Sequence, residues 1–538
     1  MKRFAMKNAP RFLLFLLLPI AALAGATACS SSDEATMGGG TTSSKDFGGG
    51  GGSTGVTQAG AQDFGLFRQI IDDGKIPAPG TLDDLGFFAE HKLDYPTATC
   101  GADLCMHGLL GLMGNMITGS DCALVQIGLN SPVDVDKLER PPLHLVLAID
   151  VSGSMQGDSI TFVREGLVRM LDHLGVEDRL TLVSYDTNTK LVFEHLGLDD
   201  KATMESAFQN LAAGGATNLY GGLFEAYQLA EAHANSAHDD RVILLSDGKA
   251  TSGLQDPAKM RSLAIAYAKQ GIGLTTIGVG KDFDVEVMRQ LAEVGAGNFY
   301  FLEKPAAVKE VFTEEVKTAF YPLAVDVQID VATGEGYYLG GAYGTHGFTP
   351  TSDGGRIEIP TLFLAKRTDS SAPIDEGRRG GGGAILVELV PMAGLTGDSK
   401  LLHVGTVDIT WTDPKTGDTH FQSAKLDSPS LPGQVADGGW FSNKTAEKAF
   451  VMLNLYTGFR MAVGLYGDGD PGAAQSVLIA LRPEVQAWLD DHEKTDGVAD
   501  PDIADDLTYV DKLLKLLKDQ PTSVQTPISQ PPNPWPFD

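Results

Sequence analysis

The stretch Leu143-His144-Leu145-Val146-Leu147-Ala148-Ile149-Asp150-Val151-Ser152-Gly153-Ser154 decides how the rest of this chain is read. Its apolar run, Leu145 to Ile149, has the length and composition of a strand buried on both faces. The run stops on a carboxylate, and every second residue from there carries a side-chain oxygen: Asp150, Ser152, Ser154. Such a strand places hard oxygen ligands on a loop at its carboxyl end, where open α/β sheets bind their ligands. Oxygen donors of low total charge suit Mg²⁺ or Mn²⁺. Asp-x-Ser after a strand also serves as a plain helix cap, so the motif alone leaves both readings open.

Two later segments extend it. Gly214-Gly215-Ala216-Thr217-Asn218 offers another hydroxyl on a glycine-flexible loop, and Val242-Ile243-Leu244-Leu245-Ser246-Asp247-Gly248 is a second buried strand ending on a carboxylate. With these in hand the sequence resembles the von Willebrand factor type A (VWA) family. Asp150, Ser152, Ser154, Thr217 and Asp247 match the five positions of that family's metal-ion-dependent adhesion site. The resemblance implies that Ser152, Ser154 and Thr217 lie at or beside the metal. It also implies that the two aspartates act partly through water and that one position stays open for a partner's carboxylate.

Outward from this core, residues 140–320 alternate strands and helices, which predicts a doubly wound, mostly parallel α/β sheet covered on both faces. Ile160, Val163, Leu167, Met170 and Leu174 share one helical face. Strands are expected at Leu180–Tyr185, at Leu191–Phe193 on an edge, at Leu274–Val279 and at Asn298–Phe301. Helices are expected at Lys201–Leu211, Leu219–Ala234, Pro257–Lys269, Val285–Val294 and Ala306–Thr318. The glycines at 271, 273, 278 and 280 are turn residues without a phosphate-loop Lys-Ser pattern, which argues against nucleotide binding.

Residues 321–435 switch to period-two alternation, as in Ala324–Asp330 and Arg356–Ile359, and predict a β-sandwich. Residues 440–520 read as helical. In the last helix Ile503, Leu507, Val510, Leu514 and Leu517 form a stripe better suited to an internal core than to a partner. Asp468-Gly469-Asp470-Pro471 reads as a helix cap rather than a calcium loop. Residues 63–135 resemble the region before the VWA domain in a set of bacterial VWA lipoproteins: helices expected at Phe64–Asp73 and from Thr81, carrying Phe64, Phe67, Phe87 and Phe88, predict a small helical pack, and Val125–Leu129 reads as a strand.

The amino end reads as targeting. Lys2, Arg3, Lys7 and Arg11 precede the apolar run Phe12–Leu18, and small residues lead to Cys29. Residues 1–29 resemble a bacterial lipoprotein signal, which implies lipidation of Cys29 and an anchor in the cell envelope, at the outer membrane; an ordinary secretory signal is the alternative. Residues 30–62, rich in Gly, Ser and Thr, predict a disordered tether with a reach of roughly 30 Å. Residues 521–538 form a proline-rich tail. Removing Cys29 leaves Cys100, Cys105 and Cys122; in an exported chain these allow one bridge, Cys100–Cys105 being close enough for a local loop and Cys122 the competing partner.

A net charge of −29 argues against nucleic acid, whose affinity for proteins comes from Lys and Arg. HExxH and phosphate-loop motifs do not occur, so no enzyme is expected. The leading expectation is a lipid-anchored binding protein that engages a protein partner through Mg²⁺ or Mn²⁺. The alternatives are a structural or regulatory subunit of an envelope complex and, more distantly, a metal-dependent hydrolase.

Overall fold

The computed structural model describes residues 54–58, 64–119, 121–134, 141–235, 238–280, 284–302, 322–365, 383–392, 398–431, 439–518 and 520. The expected signal with Cys29, most of the tether, the expected helix at 306–318 and the tail lie outside these residues. Among the described residues no helix is long and apolar enough to cross a membrane.

The apolar run around Leu145 forms β4 (Leu143–Asp150), buried at every position. It is the third strand of a six-stranded sheet, with β5 (Arg179–Tyr185) and the edge strand β6 (Thr189–Leu196) on one side. On the other side lie β7 (Asp239–Ser246), β8 (Gly273–Val279) and β9 (Phe299–Leu302). All neighbours pair in parallel except β5 with β6. Because side chains alternate along a strand, β4 feeds two cores. Leu145, Leu147 and Ile149 join Ile160, Val163 and Leu167 of α3 (Asp158–Met170) and Phe208 of α4 (Lys201–Gln209). Val146 and Ala148 join Leu223 and Ala226 of α5 (Leu219–His233), Met260 of α6 (Pro257–Ala268) and Met288 of α7 (Val285–Val294). The expected doubly wound layer is therefore observed; α3 stops at Met170, and Leu174 packs against its core from the following turn.

The sandwich does not stand alone at 321–435. Its strands belong to one eleven-stranded antiparallel sheet to which the amino-terminal part also contributes: β1 (Thr54–Gln58), β2 (Cys105–Gly114) and β3 (Asp121–Ser131). β3 lies between β1 and β14 (Ala384–Pro391), and β1 fits between β3 and β13 (Gly354–Ala365). The tether expected through residue 62 is thus interrupted by a strand, because the sheet offers Thr54–Gln58 a partner on each side and an apolar slot for Val56. Within residues 63–135 the two expected short helices are present, at Gly65–Asp72 and Asp84–Ala89, and the strand expected at Val125–Leu129 lies in the β2–β3 hairpin that follows them. At the far edge, Gln422 of β16 (Thr419–Asp427) accepts from Met106 N–H and donates to Leu104 O, drawing the last strand back toward β2.

Cys100 and Cys105 form a disulfide with Cα atoms 5.6 Å apart, and Cys122 is buried elsewhere. The helices Lys444–Gly467, Pro471–Asp496 and Pro501–Lys518 form the carboxyl-terminal region, with Ile503, Leu507, Val510, Leu514 and Leu517 all buried in its core. Asp470 caps the second of these by accepting from Ala473 N–H. The same core takes Phe64 and Phe67, with α1 (Gly65–Asp72), and Phe87 and Phe88 of α2 (Asp84–Ala89). These rings pack against Tyr456 and Phe459, so the helical regions near the two chain ends form one body.

The VWA-like layer is joined to this body at several points. Leu66 and Ile70 of α1 pack into its second core, and the Arg241 guanidinium lies 5.3 Å above the Phe363 ring. At the third point His346 places Nε2 2.6 Å from Asp83 Oδ1 and Nδ1 3.4 Å from Glu293 Oε2.

Candidate metal centre

Pairing register sets the site. Ile149 lies opposite Leu245, so β4 and β7 end level and Asp150 emerges beside Ser246. Ser246 Oγ donates to Asp150 Oδ2 at 2.6 Å, and Ser152 N–H donates to Asp150 Oδ1 at 2.8 Å. Both oxygens of a carboxylate that is fully buried are therefore held. Burial raises the pKa of Asp150 from its ordinary value, opposed by the bonds from Ser246 and Ser152.

From Asp150 the oxygens run in a chain. Ser152 Oγ lies 3.1 Å from Ser154 Oγ, and Ser154 Oγ donates to Asp247 Oδ1 at 2.6 Å. Thr217 comes from the loop before α5. That loop is tied to the first by bonds from Gly153 N–H to Gly215 O and from Gly214 N–H to Val151 O. A Cβ built on Gly248 would stand 3.3 Å from Ser154 Oγ and 3.6 Å from Thr217 Oγ1, so the two hydroxyls flank one point at the start of the β7 loop. All five residues singled out in the sequence thus converge on one end of the sheet. Asp150, Ser152, Thr217 and Asp247 are buried, whereas Ser154 faces solvent and leaves the cluster accessible.

The donor set fits a hard divalent cation. It contains oxygen only, and octahedral ligands about 2.1 Å from a metal stand about 3.0 Å from their neighbours. The Ser152–Ser154 separation of 3.1 Å matches that edge.

Several supporting residues escaped the sequence reading. Ser246 is one; its position between the β7 apolar run and Asp247 was the available signal. Thr251 and Ser252 are others: Thr217 N–H donates to Thr251 Oγ1, and Thr217 O accepts from the N–H groups of both. Nothing in the local sequence announces that clasp. A cavity of about 490 Å³ opens beside the first loop, lined by Val151, Asp186, Asn188, Lys190, Asn210 and Leu211 among others.

A second cluster was also missed. Asp83, Asp84 and His346 bring ligand-type atoms within 4.8 Å of one another. Burial pulls the His346 imidazole down, but the Asp83 and Glu293 carboxylates outweigh it and push its pKa up to about 10. Arg289 Nη1 lies 3.1 Å from Nδ1 of the same ring. With three carboxylates facing one guanidinium, a protonated His346 satisfies this junction without a metal.

The comparisons concern the α/β layer that carries this site. The von Willebrand factor type A domain family matches residues 144–314. Uncharacterized protein YfbK of Escherichia coli is 28% identical over 195 residues, 36% of this chain and 34% of that protein. Uncharacterized protein sll0103 of Synechocystis is 29% identical over 183 residues, 33% of this chain and 42% of that one. Inter-alpha-trypsin inhibitor heavy chain H2 of Sus scrofa is 26% identical over 206 residues, covering 36% and 22%. The chain therefore spans well under half the length of these curated relatives. Among solved structures, a von Willebrand factor type A protein from Catenulispora acidiphila is 17% identical at a TM-score of 0.45, covering 74% of this chain and 90% of that one. The alternating strands and helices between His144 and the edge strand β9 belong to a von Willebrand factor type A domain.

Proposed function

We propose that this VWA domain binds a protein partner through a Mg²⁺-type cation held by Asp150, Ser152, Ser154, Thr217 and Asp247. VWA domains often mediate protein–protein interaction and commonly bind a divalent metal at this position. The observation that carries the reading is the chain of oxygens from Ser152 through Ser154 to Asp247, held at an accessible strand end by residues from three loops. A cation bound there supplies an electrophilic position for a carboxylate of the partner. Ser246 and Ser152 orient Asp150, the Thr251 clasp places Thr217, and Ser154 presents the open side.

The proposal includes export and anchoring through a lipid on Cys29 at the bacterial envelope. Its motivation is the basic, apolar and small-residue sequence ending on that cysteine. Capture of a partner from detergent-solubilised envelope with Mg²⁺, its loss in EDTA and its return on adding Mg²⁺ is the expected result. Capture indifferent to EDTA contradicts the metal-dependent reading. Cys29→Ala protein still found at wild-type level in the membrane fraction contradicts the anchor.

A further inference from the structure

Three elements of the VWA domain run from the oxygen cluster to its opposite end, and each carries a histidine there. β4 ends at Asp150 and has His144 as its second residue. α5 follows Thr217 directly, is capped by Asn218 and ends at His233, about 22 Å away at 1.5 Å per residue. The β5–β6 hairpin turns at Asp186–Asn188. There Thr187 Oγ1 accepts from Ala216 N–H and Asp186 O from Asn218 N–H; its second strand then runs to His195.

The three rings meet. His195 and His233 stack with centroids 4.2 Å apart and planes 14° apart, and His144 stands edge-on to them at 4.9 and 5.5 Å. Asp240 of β7 lies 2.9 Å from His144 Nδ1. Thr181 Oγ1 of β5 lies 3.4 Å from His144 Nε2 and accepts the His195 backbone N–H. Glu194 of β6 lies 2.9 Å from His233 Nε2. Arg179 of β5 and His238 of the α5–β7 loop also face His195. The Nδ1 of His195 is buried with no hydrogen-bond partner among the described residues. Its backbone holds φ 52°, a conformation uncommon outside glycine.

This arrangement suits a neutral His195. An imidazolium carries an N–H at both nitrogens, so a second proton would bury a donor without an acceptor. It would also set a cation against a stacked imidazole and near a guanidinium. We infer that this imidazole cluster is an acid-sensitive regulator of the oxygen cluster, acting through the three elements they share. Protonation displaces the end of β6 and the last turn of α5. Asn218 and Thr217, at the other end of that helix and held to the hairpin turn, move with them. The inference rests on the metal-binding reading of the oxygen cluster. Burial first, then His144, His233 and Arg179, hold the His195 imidazole down to about 4. Its neutral contacts are therefore complete above about 6.5 and are lost as the pH falls toward 4.

The test is Mg²⁺ titration calorimetry on the full chain at pH 7.5 and pH 4, for wild type and His195→Asn. Asparagine tolerates a left-handed backbone and does not titrate, and the carboxylates of the oxygen cluster are common to both proteins. Equal affinities at pH 7.5 are expected, and at pH 4, where His195 is about half protonated, an acid loss up to about twofold greater in wild type. Coinciding pH profiles overturn the coupling. Absence of Mg²⁺ binding to wild type at pH 7.5 overturns the metal reading instead, and the coupling with it. Hydrogen exchange without metal reads the cluster separately. After correction for intrinsic rates, β6 and the last turn of α5 should lose protection at pH 4 in wild type and keep it in His195→Asn. Equal protection in both overturns the sensor. Should His195→Asn fail to fold, His195→Gly removes the titrating ring on a residue that accepts φ 52°, and the same outcomes apply.

Discussion

At the carboxyl end of the parallel sheet the polar groups of β4 and β7 are oxygens, with Ser246 bonded to Asp150 and Ser154 to Asp247. At the amino end of the same two strands Asp240 meets His144, which packs against the rings of His195 and His233. The first cluster gathers carboxylate and hydroxyl oxygens that a cation would draw together. The second gathers imidazoles that fit together while His195 is uncharged. One sheet thus carries two charge-sensitive ends of opposite sense. His346 shows that the sense comes from neighbours and not from the residue type. Burial lowers His346 as it lowers His195, yet carboxylates push the former up to about 10 while imidazoles and a guanidinium leave the latter at about 4.

The largest effect should come from the oxygen end. Mg²⁺ at a hundred times its dissociation constant stabilises a chain that binds it only when folded by about 2.7 kcal/mol. Asp247→Ala is expected to abolish that gain while the metal-free domain still melts cooperatively; a retained Mg²⁺-dependent rise in melting temperature would break the assignment. Next comes the junction. Removing one partner of a buried ion pair costs about 3–5 kcal/mol, and since 18% of the His346 side chain is exposed, about 2 kcal/mol is expected for His346→Gln at pH 7. The sign is that of a raised histidine. The contribution is complete below about pH 6.5 and is lost as pH rises through about 10, so wild type and variant should converge in denaturant titrations at alkaline pH.

Ser246→Ala should cost about 1–2 kcal/mol, because it leaves Asp150 Oδ2 buried without its donor, and it should weaken Mg²⁺ binding as well. Unchanged affinity would show that Asp150 does not need this bond to be oriented. The smallest effect belongs to His195→Asn. Its ring is partly exposed, which discounts the full shift to about 1 kcal/mol, and the gain should appear only as pH falls from about 6.5 toward 4. A variant that loses stability on acidification as steeply as wild type would remove the contrast between the two ends.

What the sequence revealed follows the same division. The α/β layer was legible because its information is local. Leu145 to Ile149 is too apolar for a one-sided strand, α3 shows its buried stripe directly, and β4, β6, β7 and β8 are each followed by a covering helix. The five oxygens were legible for a related reason: each sits at the end of such an element, where the chain must turn. The large sheet was not legible in its connections. Val125, Ile127 and Leu129 read as a strand, but nothing near them says that Leu124 pairs with Glu388 or that Gly55 lies beside Ala365. Pairing across such separations is decided by packing, and the β propensity of one segment does not encode it. The histidine clusters were hidden likewise, since His144, His195 and His233 come together only through the crossovers of the sheet.

The central claim is that the oxygens at the ends of β4 and β7 hold a divalent cation. Titration calorimetry of Mg²⁺ into the full chain at neutral pH, with Asp247→Ala in parallel, tests it most directly. The account predicts one site in wild type and none in the variant. No binding to wild type, or equal binding to both proteins, would contradict it.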